Sequence, residues 1–566
     1  MFATSEKFLP PARGLFRASL LLLGFAAIAS SEPCLGRPTE VPAELPVGSS
    51  SPDPAVTPAI PAANPPAPQS VQTLFIREYR VQGAHKLGKL EIEQAVYPYL
   101  GPGRTEQDVE GARTALEKAY KDKGYQAAGV QIPPQQARHG IVFLRVNEGV
   151  VGRLRVTGSR YFSLKQIKRN SPSLSEGRVV DFNAVTKDIV GLNQLPDRQV
   201  TPALRAGLEP GTVDIDLNVK DKLPIHGSVE LNNRYSADTT ELRINGSFSY
   251  GNLWQLGHTI GASFQVSPLD LSEVKVFTGY YLARFAGVPW FSLLVSGTKQ
   301  DSNVNTLGGI GVVGNGEVIG GRAILTLPMG KDFFHSITFG LDYKHFNQDV
   351  TLTGSALKTP VTYYPFSIAY GATWVGKSST TELNASVVYH PRGLGSNEAE
   401  FDFNRFRAGG SFFYFRGDLA QTRELPAGLQ LFGKLQGQVA DQPLLNSEQF
   451  SGGGLGTVRG YLESETLGDN AIFASLELRS PSVISRSKDK QNEWRFYGFV
   501  EGGAVTLNEP LPQQESGFVL ASLGVGTRFR VLQHLNGSLD LGVPLSSQIQ
   551  TSALDPRLTF RLWGDF

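Results

Sequence analysis

A chain of 566 residues with 53 basic against 52 acidic side chains has no basic excess with which to hold nucleic acid, and is long enough for more than one domain. One cysteine, Cys34, excludes a disulfide framework and a thiolate metal cluster. With 62 glycines, 33 phenylalanines and 18 tyrosines against 19% charged residues, the composition is that of turns and aromatic-rich strands.

The N-terminus reads as an export signal. Lys7, Arg13 and Arg17 precede the apolar run "ASLLLLGFAAIA" (18–29), and Ala27-Ile28-Ala29 forms a small-x-small cleavage site, so residues 1–29 are expected to be a cleaved signal peptide. The run falls short of the roughly 20 residues of a membrane-spanning helix. Ser31-Glu32-Pro33, ahead of Cys34, do not resemble a lipidation box. No run of about 18 apolar residues follows, so any membrane span must be made of strands. Residues 30–71 are rich in proline, alanine and serine without an amphipathic period, and are expected to form an extended linker.

From 72 to 223 the sequence repeats. "EYRVQGAHKL" (78–87) and "RLRVTGSRYF" (153–162) each give a short strand, a Val-x-Gly turn and a polar-apolar segment. In the first unit, 72–148, "EIEQAVYPYL" is a short helix candidate. "EQDVEGARTALEKAYKDKG" then sets Val109, Ala112, Leu116, Ala119 and Tyr120 on one helical face closed by Gly124, and "GIVFLRVNEG" follows as a strand. In the second unit, 149–223, "FNAVTKDIVGLNQLP" is the longer helix. "TVDIDLNVKD" (212–221) is the closing strand, with Val213, Ile215, Leu217 and Val219 facing inward. Two small α/β modules of βααββ order are expected.

Over 224–566 the period changes to two. "ELRINGSFSY" alternates Leu242, Ile244, Phe248 and Tyr250. "HTIGASFQV" sets Ile260, Ala262, Phe264 and Val266 against Thr259, Ser263 and Gln265. The last strand carries Leu558, Phe560, Leu562 and Gly564 at alternate positions and ends on the aromatic Phe566. A soluble β-sandwich would share the alternation, but the length of the array, the export signal and the terminal strand favour a barrel in lipid, closed so that every backbone amide has a partner. The segment suits roughly 14–18 antiparallel strands, with about 16 expected.

Catalytic constellations are missing from the sequence. There is no Gly-x-Ser-x-Gly elbow, and the eight histidines show no pair at metal-ligand spacing, so neither an enzyme, a metal nor a cofactor is expected. "GIGVVG" (309–314) matches a nucleotide-binding pattern formally but lacks a surrounding βαβ unit. The unusual stretch is "FSGGGLGTVRGY" (450–461), a glycine-rich loop leading towards a strand from Ile472 to Leu478. Arg459 within it is open to two readings. It is either a solvated surface side chain or one carried into the lumen, where it needs a carboxylate partner to offset its desolvation.

The "VRGY" run resembles the signature loop of the outer-membrane assembly and translocation superfamily, which joins POTRA domains to a C-terminal barrel. More closely, residues 72–566 resemble the two-partner secretion transporters of the haemolysin and filamentous-haemagglutinin exporter type. The likeness runs through "LNQLPDRQVTPALRAGLEPGTVDIDLNVKDKLP" (192–224), "ELNNRYSADTTELRINGSFSYGNLWQLGH" (230–258), the loop 450–470 with Gly468-Asp469, and Phe566. It implies a transmembrane β-barrel preceded by two POTRA domains, 72–148 and 149–223. It also implies a loop arginine, Arg459, paired with the acid of a Phe-x-Asp-x-Gly strand. Here that strand reads Phe499, Val500, Glu501, Gly502, Gly503, with glutamate for aspartate. Val458, Gly460 and Tyr461 would shape this latch, Gly468 and Asp469 would support it, and Phe566 would be the signal for barrel assembly. Residues 32–70 hold too much proline for a pore-plugging helix.

The function implied is export of an unfolded exoprotein from the periplasm to the surface of a Gram-negative cell. The cargo docks on the periplasmic POTRA domains and threads through the barrel without nucleotide hydrolysis. Implied partners are that exoprotein, outer-membrane lipid, and the assembly machinery that inserts the barrel; nucleic acid is not among them. Alternatives are an insertase for other outer-membrane proteins, which usually carries more POTRA modules, a diffusion porin, and a surface enzyme on a barrel anchor.

Overall fold

The computed structural model describes residues 73–136, 138–285, 287–305, 312–328, 330, 332–352, 355–484 and 492–566. The expected signal peptide and proline-rich linker lie outside the described residues, as do residues 309–311 of "GIGVVG". Two compact units divide between Lys222 and Leu223.

The N-terminal unit holds two modules of one topology. In the first, Glu78–Gln82 runs parallel to Ile141–Asn147, which pairs antiparallel with Gly129–Gln131. In the second, Val150–Thr157 runs parallel to Thr212–Asp221, which pairs antiparallel with Arg198–Ala206. Two helices cover each sheet: Lys89–Val96 and Glu106–Asp122, then Leu164–Arg169 and Phe182–Leu192. The expected helical face is the buried one, since Glu106–Asp122 buries Val109, Ala112, Leu116 and Tyr120 against Leu144 and Val146.

The repeat is chemical as well as topological. Gly83 (φ +80°) and Gly158 (φ +84°) turn the chain after the first strand of each module, and a Cβ there would stand 2.5 Å from the carbonyl oxygen of Val146 or 2.4 Å from that of Val219. Two residues beyond each valine a carboxylate ties down the same turn. Glu148 accepts the backbone N–H groups of His85 (2.5 Å) and Lys86 (2.7 Å) and the Tyr120 hydroxyl (2.9 Å). Asp221 accepts the N–H groups of Arg160, Tyr161 and Phe162 (2.8, 2.8 and 3.3 Å) and the Ser159 hydroxyl (2.8 Å). Partial burial opposes the Asp221 charge, but these donors outweigh it and hold the carboxyl below the usual aspartate range.

The C-terminal unit is a closed antiparallel barrel of 16 strands, from Ile225–Asn232 to Arg557–Asp565. Ser355–Tyr363 and Phe366–Val375 are two halves of one strand, both laid against Phe333–Leu352 and interrupted at Tyr364-Pro365, where proline has no N–H to donate. Side chains alternate as the sequence predicts. Phe248, Ile260 and Phe264 face outward, whereas Thr259, Gln265 and the bidentate pair Arg322–Asp342 (2.7 and 2.8 Å) are buried on the inner face. The last strand closes on the first from Arg561↔Asn232 to Asp565↔Ser228. Phe566 exchanges backbone hydrogen bonds with Gly227 (3.0 and 3.2 Å), and its ring occupies the place of a Gly227 side chain. Arg561 bridges the same seam to Glu230 at 2.8 and 3.0 Å. Among the described residues no helix is long and apolar enough to cross a membrane.

The Asp221 geometry sets a pH dependence. Because its folded pKa lies below the unfolded one, its contribution is complete above the ordinary aspartate value of about 3.9 and is lost as pH falls through the folded value. Asp221→Asn is expected to cost about 1–3 kcal/mol at neutral pH, because fewer of the four donors keep an acceptor. Limited proteolysis of the detergent-solubilised chain should then open the 149–222 module at neutral pH, and acid should open it less steeply than in wild type.

Candidate functional site

Inside the barrel, Phe450–Gly452 and Thr466–Gly468 form a short antiparallel hairpin that carries residues 453–465 against the wall. A tight reversal is needed at the tip, and Gly460 supplies it at φ +95°. The tip meets the wall backbone to backbone. A Cβ on Gly542, in the strand Leu535–Pro544, would stand 2.6 Å from the Gly460 nitrogen and 2.8 Å from the Arg459 carbonyl carbon. Two glycines thus permit an approach that any side chain would block.

Arg459, 4% exposed, is wholly coordinated by the wall. Its Nη2 donates to Glu501 Oε1 at 2.6 Å and lies 2.6 Å from Glu477 Oε1; its Nη1 donates to Asp540 Oδ1 at 2.9 Å. Nε also reaches Glu501 Oε1 (3.1 Å), and the guanidinium lies over the Phe499 ring, 3.6 Å from its centroid. Glu501 serves two contacts: its other oxygen, Oε2, accepts the backbone N–H of Arg459 at 2.7 Å. A buried charge costs several kcal/mol unless paired and hydrogen-bonded throughout, and this one is.

The wall holds the three acids independently of the loop. Ser475 donates to Glu501 (2.8 Å) and the Tyr497 hydroxyl to Asp540 (2.7 Å). Glu477 pairs with Arg479 (2.8 Å) and Arg528 (3.3 Å). Three carboxylates and three guanidinium groups therefore form a balanced cluster, five of them on neighbouring strands and the sixth, Arg459, brought by the loop.

The other residues singled out in the sequence surround this centre. Val458 is fully buried among Phe450, Tyr461, Phe473, Val505 and Leu520. The Tyr461 hydroxyl lies 2.7 and 3.0 Å from the carbonyl oxygens of Ser546 and Ala521. At Gly503 a side chain would strike Phe473, whose ring stacks on Phe450 at the hairpin base. A side chain at Gly468 would strike Val505. Asp469, fully buried, anchors the base by accepting from the N–H groups of Leu444 (2.9 Å) and Asn508 (2.7 Å) and from the Gln449 side chain (3.0 Å), and it pairs with Arg405 (3.3 Å). Phe566 lies at the seam, apart from the cluster.

Sequence reasoning missed Glu477, Asp540, Arg528, Gly542, and the bidentate pair of Arg234 with Glu463 (2.6 and 3.1 Å) that ties the loop to the wall beyond the first strand. One signal was available: Glu477 and Asp540 each stand between two leucines, Leu476/Leu478 and Leu539/Leu541, which face outward. An acid in that position of a lipid-facing strand points into the lumen.

Two family descriptions match the chain: "POTRA domain, ShlB-type" over residues 74–149 and "Haemolysin secretion/activation protein ShlB/FhaC/HecB" over residues 340–529. The chain is similar to the outer membrane transporter CdiB of Dickeya dadantii strain 3937, with 22% identity over 71% of this chain and 72% of that one. It is similar to the heme/hemopexin transporter protein HuxB of Haemophilus influenzae strain 86-028NP, with 21% identity over 82% of each. In fold it is similar to CdiB from Escherichia coli, with a TM-score of 0.60 at 19% identity, covering 89% of this chain and 93% of that one.

The close approach at Gly542 yields a test that leaves every charge in place. Gly542→Val should push the loop tip from the wall at a cost of roughly 1–3 kcal/mol. Single-channel conductance of the purified protein in planar bilayers should rise relative to wild type. Unchanged conductance would show that this contact does not hold the tip.

Proposed function

We propose that this chain, which belongs to the two-partner secretion family of outer-membrane transporters with POTRA domains, exports its partner protein through the lumen of its own barrel, with the Arg459 loop as the latch of that path. The family exports partner proteins and is not a family of enzymes. The observation that carries the latch is the seating of Arg459 among Glu477, Glu501 and Asp540, because a loop held in the lumen by charge pairs can leave without breaking the barrel ladder.

The POTRA modules face the periplasm in this reading, and the unfolded partner docks there. Support comes from two strand edges that, among the described residues, pair with a strand on one side only. One is Gly129–Gln131, where the Arg113 side chain takes the Val130 carbonyl (3.3 Å). The other is Arg198–Ala206, where the Asn193 side chain takes both backbone groups of Val200 (2.6 and 3.0 Å) and Pro202 has no N–H, so that a further strand is accepted beyond Pro202. The partner then threads past the displaced loop and folds outside. The outer membrane offers no nucleotide supply, so folding of the cargo at the surface supplies the free energy and prevents return. Phe566, bonded across the seam to Gly227, serves the insertion of the barrel by the assembly machinery.

Deletion of the gene should remove one large protein from the culture medium, read by quantitative mass spectrometry, while other outer-membrane proteins hold steady. A collective fall of barrel proteins would instead identify an insertase. Arg459→Ala should reduce export several-fold at equal outer-membrane level, measured by immunoblot of medium against membrane; undiminished export would reject the latch. Removal of 72–223 should abolish export and leave an inserted, heat-modifiable barrel, whereas normal export by that truncation would rule out docking on the modules.

A further inference from the structure

The acids around Arg459 belong to the wall, and so do the groups that hold them. Glu477 lies in Asn470–Arg479, Glu501 and Phe499 in Glu493–Thr506, and Asp540 in Leu535–Pro544, all strands of the closed barrel. Their supporting partners, Ser475, Tyr497, Arg479 and Arg528, are wall residues too. Withdrawal of the loop would therefore leave the site assembled, with three carboxylates facing two guanidinium groups and one aromatic face uncovered. Such a site is short of one positive charge. Its shape is that of a planar cation, with acceptors along two edges of the plane and a ring beneath it.

We infer that this part of the wall is a guanidinium receptor in its own right, occupied by Arg459 when the loop is seated and by arginine side chains of the polypeptide in transit when the loop withdraws. The inference rests on the latch reading for its second half, but the receptor itself does not depend on it. The site exchanges one guanidinium for another, so the carboxylates never stand uncompensated in the lumen, a state that would cost several kcal/mol. Exchange also favours arginine over lysine in the cargo, since an ammonium group cannot meet the acceptors on two edges of one plane while stacking on Phe499.

The probe is guanidinium ion itself. Full-length Arg459→Ala protein in detergent is expected to unfold at a lower temperature than wild type. Millimolar guanidinium chloride should restore most of that loss, whereas sodium chloride at equal ionic strength should not. Glu501→Gln and Asp540→Asn, each added to Arg459→Ala, should weaken the rescue roughly tenfold in guanidinium concentration per carboxylate removed, as befits a hydrogen bond to a charged group. If Arg459→Ala does not assemble, the same titration is made on a chain whose residues 453–465 are replaced by a short Gly-Ser turn between the paired hairpin arms. Rescue equal for the two salts, or unaffected by the acid substitutions, overturns the receptor.

In planar bilayers the same variants separate the two readings. Arg459→Ala should conduct better than wild type and be blocked by an arginine-rich unstructured peptide at concentrations at which a lysine counterpart leaves the current unchanged. Equal block by both peptides overturns the arginine preference. Conductance no higher than wild type, together with guanidinium-specific heat rescue, rejects the latch and upholds the receptor.

Discussion

In hydrocarbon a peptide group without a hydrogen-bond partner costs several kcal/mol, and every other property of the C-terminal unit depends on meeting that constraint. Sixteen strands meet it by closure, the last paired with the first and the final residue bonded to Gly227. The alternation then has no freedom left. Once apolar side chains such as Ile260 and Phe264 face out, their neighbours Thr259 and Gln265 must face in. The interior that results is polar by construction, and it is where charge can be kept.

Much of the charge in that interior is held in pairs. Arg322 with Asp342, Arg561 with Glu230, and the cluster about Arg459 each satisfy most of their donors on neighbouring strands. The Arg459 cluster differs because one member arrives on a loop. The rest are fixed by rigid strands, so the site is preorganised and the loop is the part that can change. Glycines set the distances of approach: Gly460 and Gly542 let two backbones touch, and Gly503 leaves room for Phe473 at the hairpin base. Asp469 then pins that base with four partners, which leaves the tip, not the hairpin, as the element with a choice.

The N-terminal unit solves a different problem with equal economy. Each module has a small core and a sheet of three strands, too little to hold a turn by packing alone. A carboxylate two residues beyond a buried valine, Glu148 or Asp221, gathers the backbone donors of the turn after the first strand. The closing strand thereby fastens the opening one.

Much of this was legible in the residues. The period of two from 224 onward, the helical face of Glu106–Asp122, the Val-x-Gly repeat and the terminal aromatic are local patterns, and local patterns follow from backbone geometry. So did the pairing of Arg459 with Glu501, through the resemblance of "VRGY" and "FVEGG" to a known loop and strand. The structure alone decided that Arg459 lies in the lumen rather than in solvent, and that Glu477, Asp540 and Gly542 share the site with Glu501. Those residues lie on strands far apart in the chain, and Asp540 is 81 positions from Arg459. The sequence by itself determined which way each side chain faces, because a strand has two faces and lipid selects one. Only the tertiary structure decided which inward side chains meet, because that depends on the order and register of strands around a closed barrel, and no stretch of sequence carries the register of its distant neighbours.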